Sequence, residues 1–312
     1  MSAEKISENE GSTKVCCANC GVAAVDEIEL KPCPHCNLVQ YCSDKCQQDH
    51  QEFHEGSCKQ RAAEMRNEIL FKQPESSHLG DCPICFLPMP LDNNARSIHA
   101  CCGVKACNGC SFANTASEVQ QGREDKCPFC RTIVVAKHGE EVKKRMLRRA
   151  EANDPIALEH LGQLRYEEED YESAFRYWTR AAEVGDVNAS FQLGSMYWKG
   201  KFVENDMDNC IAHWEQAAIG GHVVARYTLG HIEELMERFD RAVKHWIIAA
   251  SLGHNGSIHE LKNCYKEGYV SKDDLARALR ANQAACDAMK SPQREAAAKI
   301  YEQIHGGSSI KN

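Results

Sequence analysis

Apolar and small residues recur in the same order three times along the C-terminal half of the chain. Leu161-Gly162, Leu193-Gly194 and Leu229-Gly230 are followed by Trp178, Trp214 and Trp246, then by Ala181-Ala182, Ala217-Ala218 and Ala249-Ala250, and each unit closes on Gly185, Gly221 or Gly253. The closing glycines are 36 and 32 residues apart. Self-similarity at such a period predicts stacked helix pairs, because one pair cannot bury its own apolar face and must stack on a copy of itself. An α-solenoid is therefore expected. The alanine pairs permit close helix approach, each tryptophan supplies bulk to a shared core, and the closing glycine suits a helix C-terminal cap. Tryptophans and aromatics such as Tyr177 could instead line a partner groove, but a residue repeated at one position of every unit belongs to the core. A fourth unit aligns Leu261, Gly268, Asp274 and Ala285, with Asn282 where the tryptophan should stand; a polar substitution there is expected of a terminal cap.

Two further stretches carry a helical period. Val142, Met146, Leu147 and Ala150 form an apolar stripe, so the basic residues of Lys143 to Arg149 read as the solvated face of a first helix, with a nuclear signal as the alternative. Cys42, Cys46, His50 and His54 recur at every fourth position and predict a helix through Ser43 to Phe53 that turns them toward one side. The opening segment MSAEKISENEGSTK lacks the apolar core of a signal peptide. No later stretch approaches the roughly eighteen apolar residues needed to span a bilayer. The expectation is an intracellular protein, cytoplasmic or nuclear, with no membrane partner.

A length of 312 residues suits two or three compact units. The net charge of -8 argues against a general phosphate-backbone binder, which needs excess Lys and Arg to displace counterions, so nucleic acid is not expected as a partner. Of the 19 cysteines, sixteen lie between Cys16 and Cys130, and only Cys210, Cys264 and Cys286 follow. Reducing compartments keep thiols free, which makes metal binding a better explanation than a disulfide framework.

The cysteines begin as Cys17-x-x-Cys20, Cys33-x-x-Cys36 and Cys42-x-x-x-Cys46, followed by His54-x-x-x-Cys58, eight donors in all. Zinc prefers thiolate and imidazole, and a two-residue knuckle lets both its sulfurs reach one ion at about 2.3 Å. A thioredoxin-like redox role needs one such pair in a βαβ setting, not a series of pairs. The arrangement resembles the MYND zinc finger, down to Tyr41 before Cys42 and the seven residues between Cys46 and His54. The resemblance implies two interleaved zinc ions, one held by Cys17, Cys20, Cys42 and Cys46, the other by Cys33, Cys36, His54 and Cys58. His50 is then a surface histidine or a support for a ligand, and Cys16 a spare thiol. MYND fingers typically bind short proline-containing peptides, so the resemblance implies docking of protein partners. No methyltransferase domain accompanies the finger.

Beyond a polar linker with Pro74, Ser76 and Ser77 comes a second set: Cys82-Pro-Ile-Cys85, Cys101-Cys102, Cys107-x-x-Cys110 and Cys127-Pro-Phe-Cys130, again eight sulfurs. Two knuckles flanking a central cluster resemble a RING finger, in which alternate ligand pairs share an ion. By that pattern Cys82, Cys85, Cys107 and Cys110 hold one zinc, and Cys127 and Cys130 hold the other with the central pair. Val104 stands where most RING fingers place a histidine, and the resemblance is to the all-cysteine variant. Cys102 has the family's spacing to Cys107. Neighbours in an extended segment point to opposite sides, so Cys101 reaches the same ion only through a turn, and His99 is the alternative ligand. The family docks a charged ubiquitin-conjugating enzyme through apolar positions matched here by Ile84 and Pro128, and bridges it to ubiquitin through a cation matched by Arg131. An arginine suits that task because its planar, permanently charged fork donates several hydrogen bonds at once. The structural reading of the same residues is that Pro and Ile shape the knuckles and Arg131 is a solvated charge.

Among repeats of this length the C-terminal array resembles Sel-one-like repeats, tetratricopeptide relatives, most clearly over LGSMYWKGKFVENDMDNCIAHWEQAAIGG, where Gly200, Val203 and Asp206 match and Phe202 replaces a usual loop glycine. The expected chain is mainly α: a tail at 1–15, a MYND-like finger at 16–58, a linker at 59–80, a RING-like finger at 81–132, repeats with a degenerate cap at 138–305 and a tail at 306–312. Zinc is the expected cofactor, four ions with two per finger. The resemblances imply that the MYND finger and repeats recruit a protein while the RING finger directs ubiquitin to it. The rival is a zinc-dependent adaptor without transfer activity. Transcriptional regulation would require base-reading helices, yet no Cys-Cys-His-His finger spacing occurs.

Overall fold

The computed structural model describes residues 16–24, 29–134 and 139–305. The tails expected at 1–15 and 306–312 lie outside the described residues. The chain divides into two compact units, residues 1–70 and 71–312.

In the first unit β1 (Lys31–Pro32) and β2 (Gln40–Tyr41) pair antiparallel, with Lys31 opposite Tyr41. Helix α1 (Asp44–Asp49) starts at Ser43, whose side chain accepts from the Cys46 N–H, and ends at His50. The helix expected through Ser43 to Phe53 is thus interrupted at His50, and α2 restarts at Gln51 and runs to Leu70. It continues through the first half of the segment read as linker because that stretch is rich in good helix formers and laced with Lys59–Glu55, Arg61–Glu64 and Arg61–Glu68 ion pairs.

The second unit opens with β3 (Arg96–Ile98) and β4 (Lys105–Cys107), an antiparallel pair with Arg96 opposite Cys107, followed by α3 (Asn108–Gln120). Helix α4 (Glu140–Glu151) buries Met146 and Ala150 of the apolar stripe and leads into antiparallel pairs: α5 (Pro155–Glu167) with α6 (Tyr171–Glu183), α7 (Val187–Lys199) with α8 (Met207–Ile219), and α9 (Val223–Leu235) with α10 (Phe239–Ser251). Next come α11 (Asn255–Lys266), α12 (Lys272–Ala288) and α13 (Pro292–His305). The fold is mainly α. Ile98 and Ala100 pack on the core around Met146, Leu158 and Trp178, which joins the β3–β4 region to the first repeat.

Side-chain caps set these helix boundaries. Asp154, Asp170, Asp186 and Asp206 each accept from backbone N–H groups two or three residues on. In α9 and α11 the cap is a histidine: His222 Nδ1 accepts from Ala225 N–H at 3.0 Å and His254 Nδ1 from Ser257 N–H at 3.2 Å. That role requires the neutral ring.

Trp178, Trp214 and Trp246 are buried, as a core role demands. Each indole lies directly over the glycine of the preceding Leu-Gly pair. A Cβ on Gly162, Gly194 or Gly230 would come within 2.2–2.5 Å of the nearest indole atom. Each indole N–H donates to the carbonyl three residues before that glycine, Glu159, Phe191 or Tyr227, at 3.2–3.3 Å. The Leu-Gly glycine, which periodicity reveals without explaining, is the floor of the tryptophan's slot. In the fourth unit Asn282 is buried and donates to Ala250 O at 3.1 Å.

Candidate metal centres

Four knuckles share one closure. Gly21, Asn37, Phe86 and Arg131 each follow the second cysteine of a Cys-x-x-Cys pair, and each donates its N–H to the carbonyl of the first cysteine at 2.8–3.0 Å. All four have positive φ, between 55° and 73°. Glycine and asparagine accept this left-handed conformation readily; phenylalanine and arginine do so at a cost that the surrounding turn must offset. Positive φ at Arg131 therefore belongs to the knuckle itself.

In the first unit a small core of Cys17, Leu30, Cys33, Cys36 and Tyr41 holds the sulfurs in place. Cys17, Cys20, Cys42 and Cys46 come together, as do Cys33, Cys36, His54 and Cys58, with the ligating atoms of each group within 4.8 Å of one another. Sulfurs of Cys20 and Cys42 are 3.5 Å apart, Cys42 and Cys46 3.6 Å, and Cys33 and Cys58 3.7 Å, while Cys36 Sγ lies 3.1 Å from His54 Nε2. His50 accompanies the second group without joining it. Its ring stacks on His54 at 5.8 Å and its Nδ1 lies 3.1 Å from the Tyr41 hydroxyl. Cys16 is exposed.

In the second unit the groups are Cys82, Cys85, Cys107 and Cys110, and Cys101, Cys102, Cys127 and Cys130. Cys85 and Cys107 sulfurs are 3.9 Å apart, Cys102 and Cys127 3.7 Å, and Cys101 and Cys130 3.3 Å. A tight turn, with Cys102 N–H donating to His99 O at 3.1 Å and Gly103 at φ 75°, brings both neighbouring sulfurs to the same group. His99 turns elsewhere: its Nε2 lies 3.4 Å from Ser111 Oγ and its ring packs edge-on to Phe129.

These donor sets fit zinc. All nineteen cysteines are free thiols. A zinc–sulfur bond of about 2.3 Å makes the edge of a tetrahedron roughly 3.8 Å, close to the sulfur spacings found and far beyond a disulfide's roughly 2.05 Å. Electrostatics agree. Burial raises the Cys82 thiol, but the N–H groups of Cys107, Cys85 and Ile84 facing it outweigh burial and hold it at about 6. Cys17 is held at about 6 in the same way, burial being outweighed by the backbone at Cys20, Cys42 and Asn19. A member of the Cys17 group moves oppositely: hydrogen bonds with the sulfurs of Cys20, Cys46 and Cys17, with burial added, push Cys42 up to about 12. Four sulfurs so close cannot all be anions without a cation among them.

The three positions matched to enzyme docking are not buried. Ile84 and Arg131 are exposed and Pro128 is half-buried. Phe86, which the sequence does not single out, is 76% exposed beside Ile84 and adds to the apolar surface of the knuckle. Glu118 on α3 accepts from Arg131 Nη2 and Nη1 at 3.3 and 3.4 Å and from Arg123 Nε at 2.8 Å. Arg123 first, then Arg131, hold its carboxyl below the ordinary range. Elsewhere in this unit a cavity of about 800 Å³ lies between the β3–β4 strands and the repeats, with Lys105, Glu159, Gln163, Asn188, Gln192 and His222 in its wall.

Comparison with known proteins identifies two of these modules. Residues 17–58 match the MYND finger family, and residues 156–186, 187–222 and 236–254 match the Sel1 repeat. The chain contains a MYND finger and Sel1 repeats. Zinc binding and interaction with other proteins follow from those modules in general terms. No curated protein matches the sequence. Among solved structures, a Sel1 repeat protein from Oxalobacter formigenes is 28% identical, with 57% of this chain and 73% of that chain covered and a TM-score of 0.44. The protective antigen c5321 of uropathogenic Escherichia coli, which displays an SLR fold, is 23% identical, with 65% and 43% covered and a TM-score of 0.39. Immunity protein Pa5087 from Pseudomonas aeruginosa is 15% identical, with 63% and 81% covered and a TM-score of 0.36. Among the described residues no helix is long and apolar enough to cross a membrane.

Proposed function

We propose that the protein is an intracellular ubiquitin-ligase scaffold, cytoplasmic or nuclear, with four structural zinc ions: a MYND finger (16–58) and Sel1 repeats (138–305) recruit a protein, and a RING-like finger (81–132) docks a charged ubiquitin-conjugating enzyme. The observation that carries the reading is the interleaving of the second finger's ligand pairs, Cys82 and Cys85 with Cys107 and Cys110, and the central pair with Cys127 and Cys130. Exposure of Ile84 and Arg131 supports it.

In this scheme the zinc ions, once bound, cross-link loops too small to fold on their own. The chain supplies no nucleophile. Ile84, Phe86 and Pro128 offer apolar surface to the conjugating enzyme, and Arg131 spans enzyme and ubiquitin so that the thioester is held in a reactive arrangement, a gain from proximity and orientation.

Discharge of ubiquitin from a panel of charged conjugating enzymes, with Ile84→Ala and Arg131→Ala alongside, is the test. Acceleration lost in both variants supports the ligase. No acceleration by zinc-loaded protein across the panel supports a second reading, a zinc-dependent adaptor without transfer activity, which the pairing of Arg131 with Glu118 favours.

A further inference from the structure

Periodicity assigns the chain's last helix to the end of the repeat array, but α13 packs against α3 behind the Cys82 knuckle. The approach is close enough to exclude a side chain. A Cβ on Gly109 would lie 2.8 Å from Arg294 N and 2.9 Å from its Cα. Farther along α13, Ala297 is buried and Tyr301 Oη donates to Asn94 Oδ1 at 3.2 Å.

Arg294 uses this proximity. Its Nη2 donates to Cys85 Sγ at 3.3 Å and to Leu87 O at 3.2 Å, and its Nη1 to Pro88 O and to Met289 O, both at 2.7 Å. One guanidinium thus touches a ligand sulfur and fixes Leu87 and Pro88, the two residues after Phe86, which closes the knuckle. Four thiolates around a divalent zinc leave the centre with an excess of two negative charges. A cation donating to one of those sulfurs offsets half of that excess and holds the ligand's orientation.

We propose that Arg294 is a positioning residue of the Cys82–Cys85–Cys107–Cys110 centre, so that the second finger is a discontinuous module whose working part includes α13. The proposal rests on zinc occupying that centre, and on no assumption about ubiquitin.

The experiment uses full-length protein loaded with zinc, or with cadmium for NMR, comparing wild type with Arg294→Met, which keeps bulk without charge, and Arg294→Lys, which keeps charge without the fork. The cadmium signal of this centre is assigned by its loss in Cys110→Ser. The expected result is that Arg294→Met weakens one ion by about 10- to 100-fold in chelator competition and shifts that one signal, that Arg294→Lys falls between, and that the other ions and the tryptophan-reported melting of the repeats are unchanged. Equal retention of all ions in Arg294→Met with an unmoved signal overturns the proposal, as does equal weakening of every ion together with a lowered repeat melt, which would mark a packing role alone. Absence of a metal signal from this centre in wild type overturns the zinc reading on which it rests.

Discussion

Glu118 holds Arg131 from the finger's own helix, its carboxylate almost fully buried while the guanidinium it grips remains exposed. The contact pre-sets the direction of a fork that has five donors and uses only some of them here. In a ligase, Glu118 therefore acts through Arg131. Glu118→Ala is expected to slow discharge in the same direction as Arg131→Ala, and the double variant to be no slower than Arg131→Ala alone. Multiplying effects in that double-mutant cycle would show that the two residues act independently.

The indole slots of the repeats make a sharper stability prediction. Gly194→Ala places a Cβ 2.5 Å from Trp214 Cδ1, so the tryptophan must shift and the variant loses about 1–3 kcal/mol. Trp214→Ala, which empties the slot, loses about 3–5 kcal/mol. Denaturant melts followed by far-ultraviolet circular dichroism measure both.

Gly185 and Gly221 occupy equivalent loops with φ of 90° and 85°, but only Gly221 has the backbone of Ser76 to His78 against it, with His78 N–H donating to its carbonyl at 3.0 Å. Gly185→Ala is expected to cost about 1–2 kcal/mol from backbone strain alone. Gly221→Ala should cost more and should also expose the 71–80 segment to limited proteolysis. Equal losses, with no new cleavage, would mean that this segment's docking does not depend on the glycine.

Acid should loosen the repeats before it reaches the usual carboxylate range. Burial, then Arg226 and Arg241, hold His245 at about 3, and burial also depresses the two capping histidines, His222 and His254. An unfolded histidine takes its proton near pH 6.5, so the stability these neutral rings contribute is complete above about 6.5 and falls as pH drops toward the folded value, approaching about 1.4 kcal/mol per pH unit for each proton. All four tryptophans lie between residues 178 and 246, so their fluorescence reports on the repeats. Urea midpoints that do not move between pH 7.5 and 5.5 would contradict the prediction.

Metal removal separates the modules by the same probe. A strong chelator should release four zinc ions per chain and unfold residues 17–58 and 82–130, leaving most of the helical signal and the tryptophan emission of the repeats intact. Two ions released instead of four would remove one finger from the scheme.

The repeats were legible in the sequence because a tryptophan at a fixed position stands out against any background, and the metal groups because short knuckles leave a pair of sulfurs little choice of direction. The turn at Cys101 and Cys102 is also local, though its outcome over His99 was open until the backbone placed both sulfurs together. What the sequence could not disclose are relations without a period or a motif. The recurrence of Gly230 in the Leu-Gly pairs gives its position but not the indole packed on it, and the break at His50 hides within a four-residue spacing that looks like one helix. Glu118 and Arg131, thirteen positions apart, fall outside any spacing rule.

The hydrogen bond from Arg294 to Cys85 spans 209 residues. During synthesis every cysteine of the second finger leaves the ribosome long before the guanidinium that supports it, so the finger passes through an immature interval while the repeats are still being made. Completion of the finger thereby becomes a report that the whole repeat array has been translated and folded into place, and a chain truncated in the array would carry a full set of cysteines but an unfinished centre.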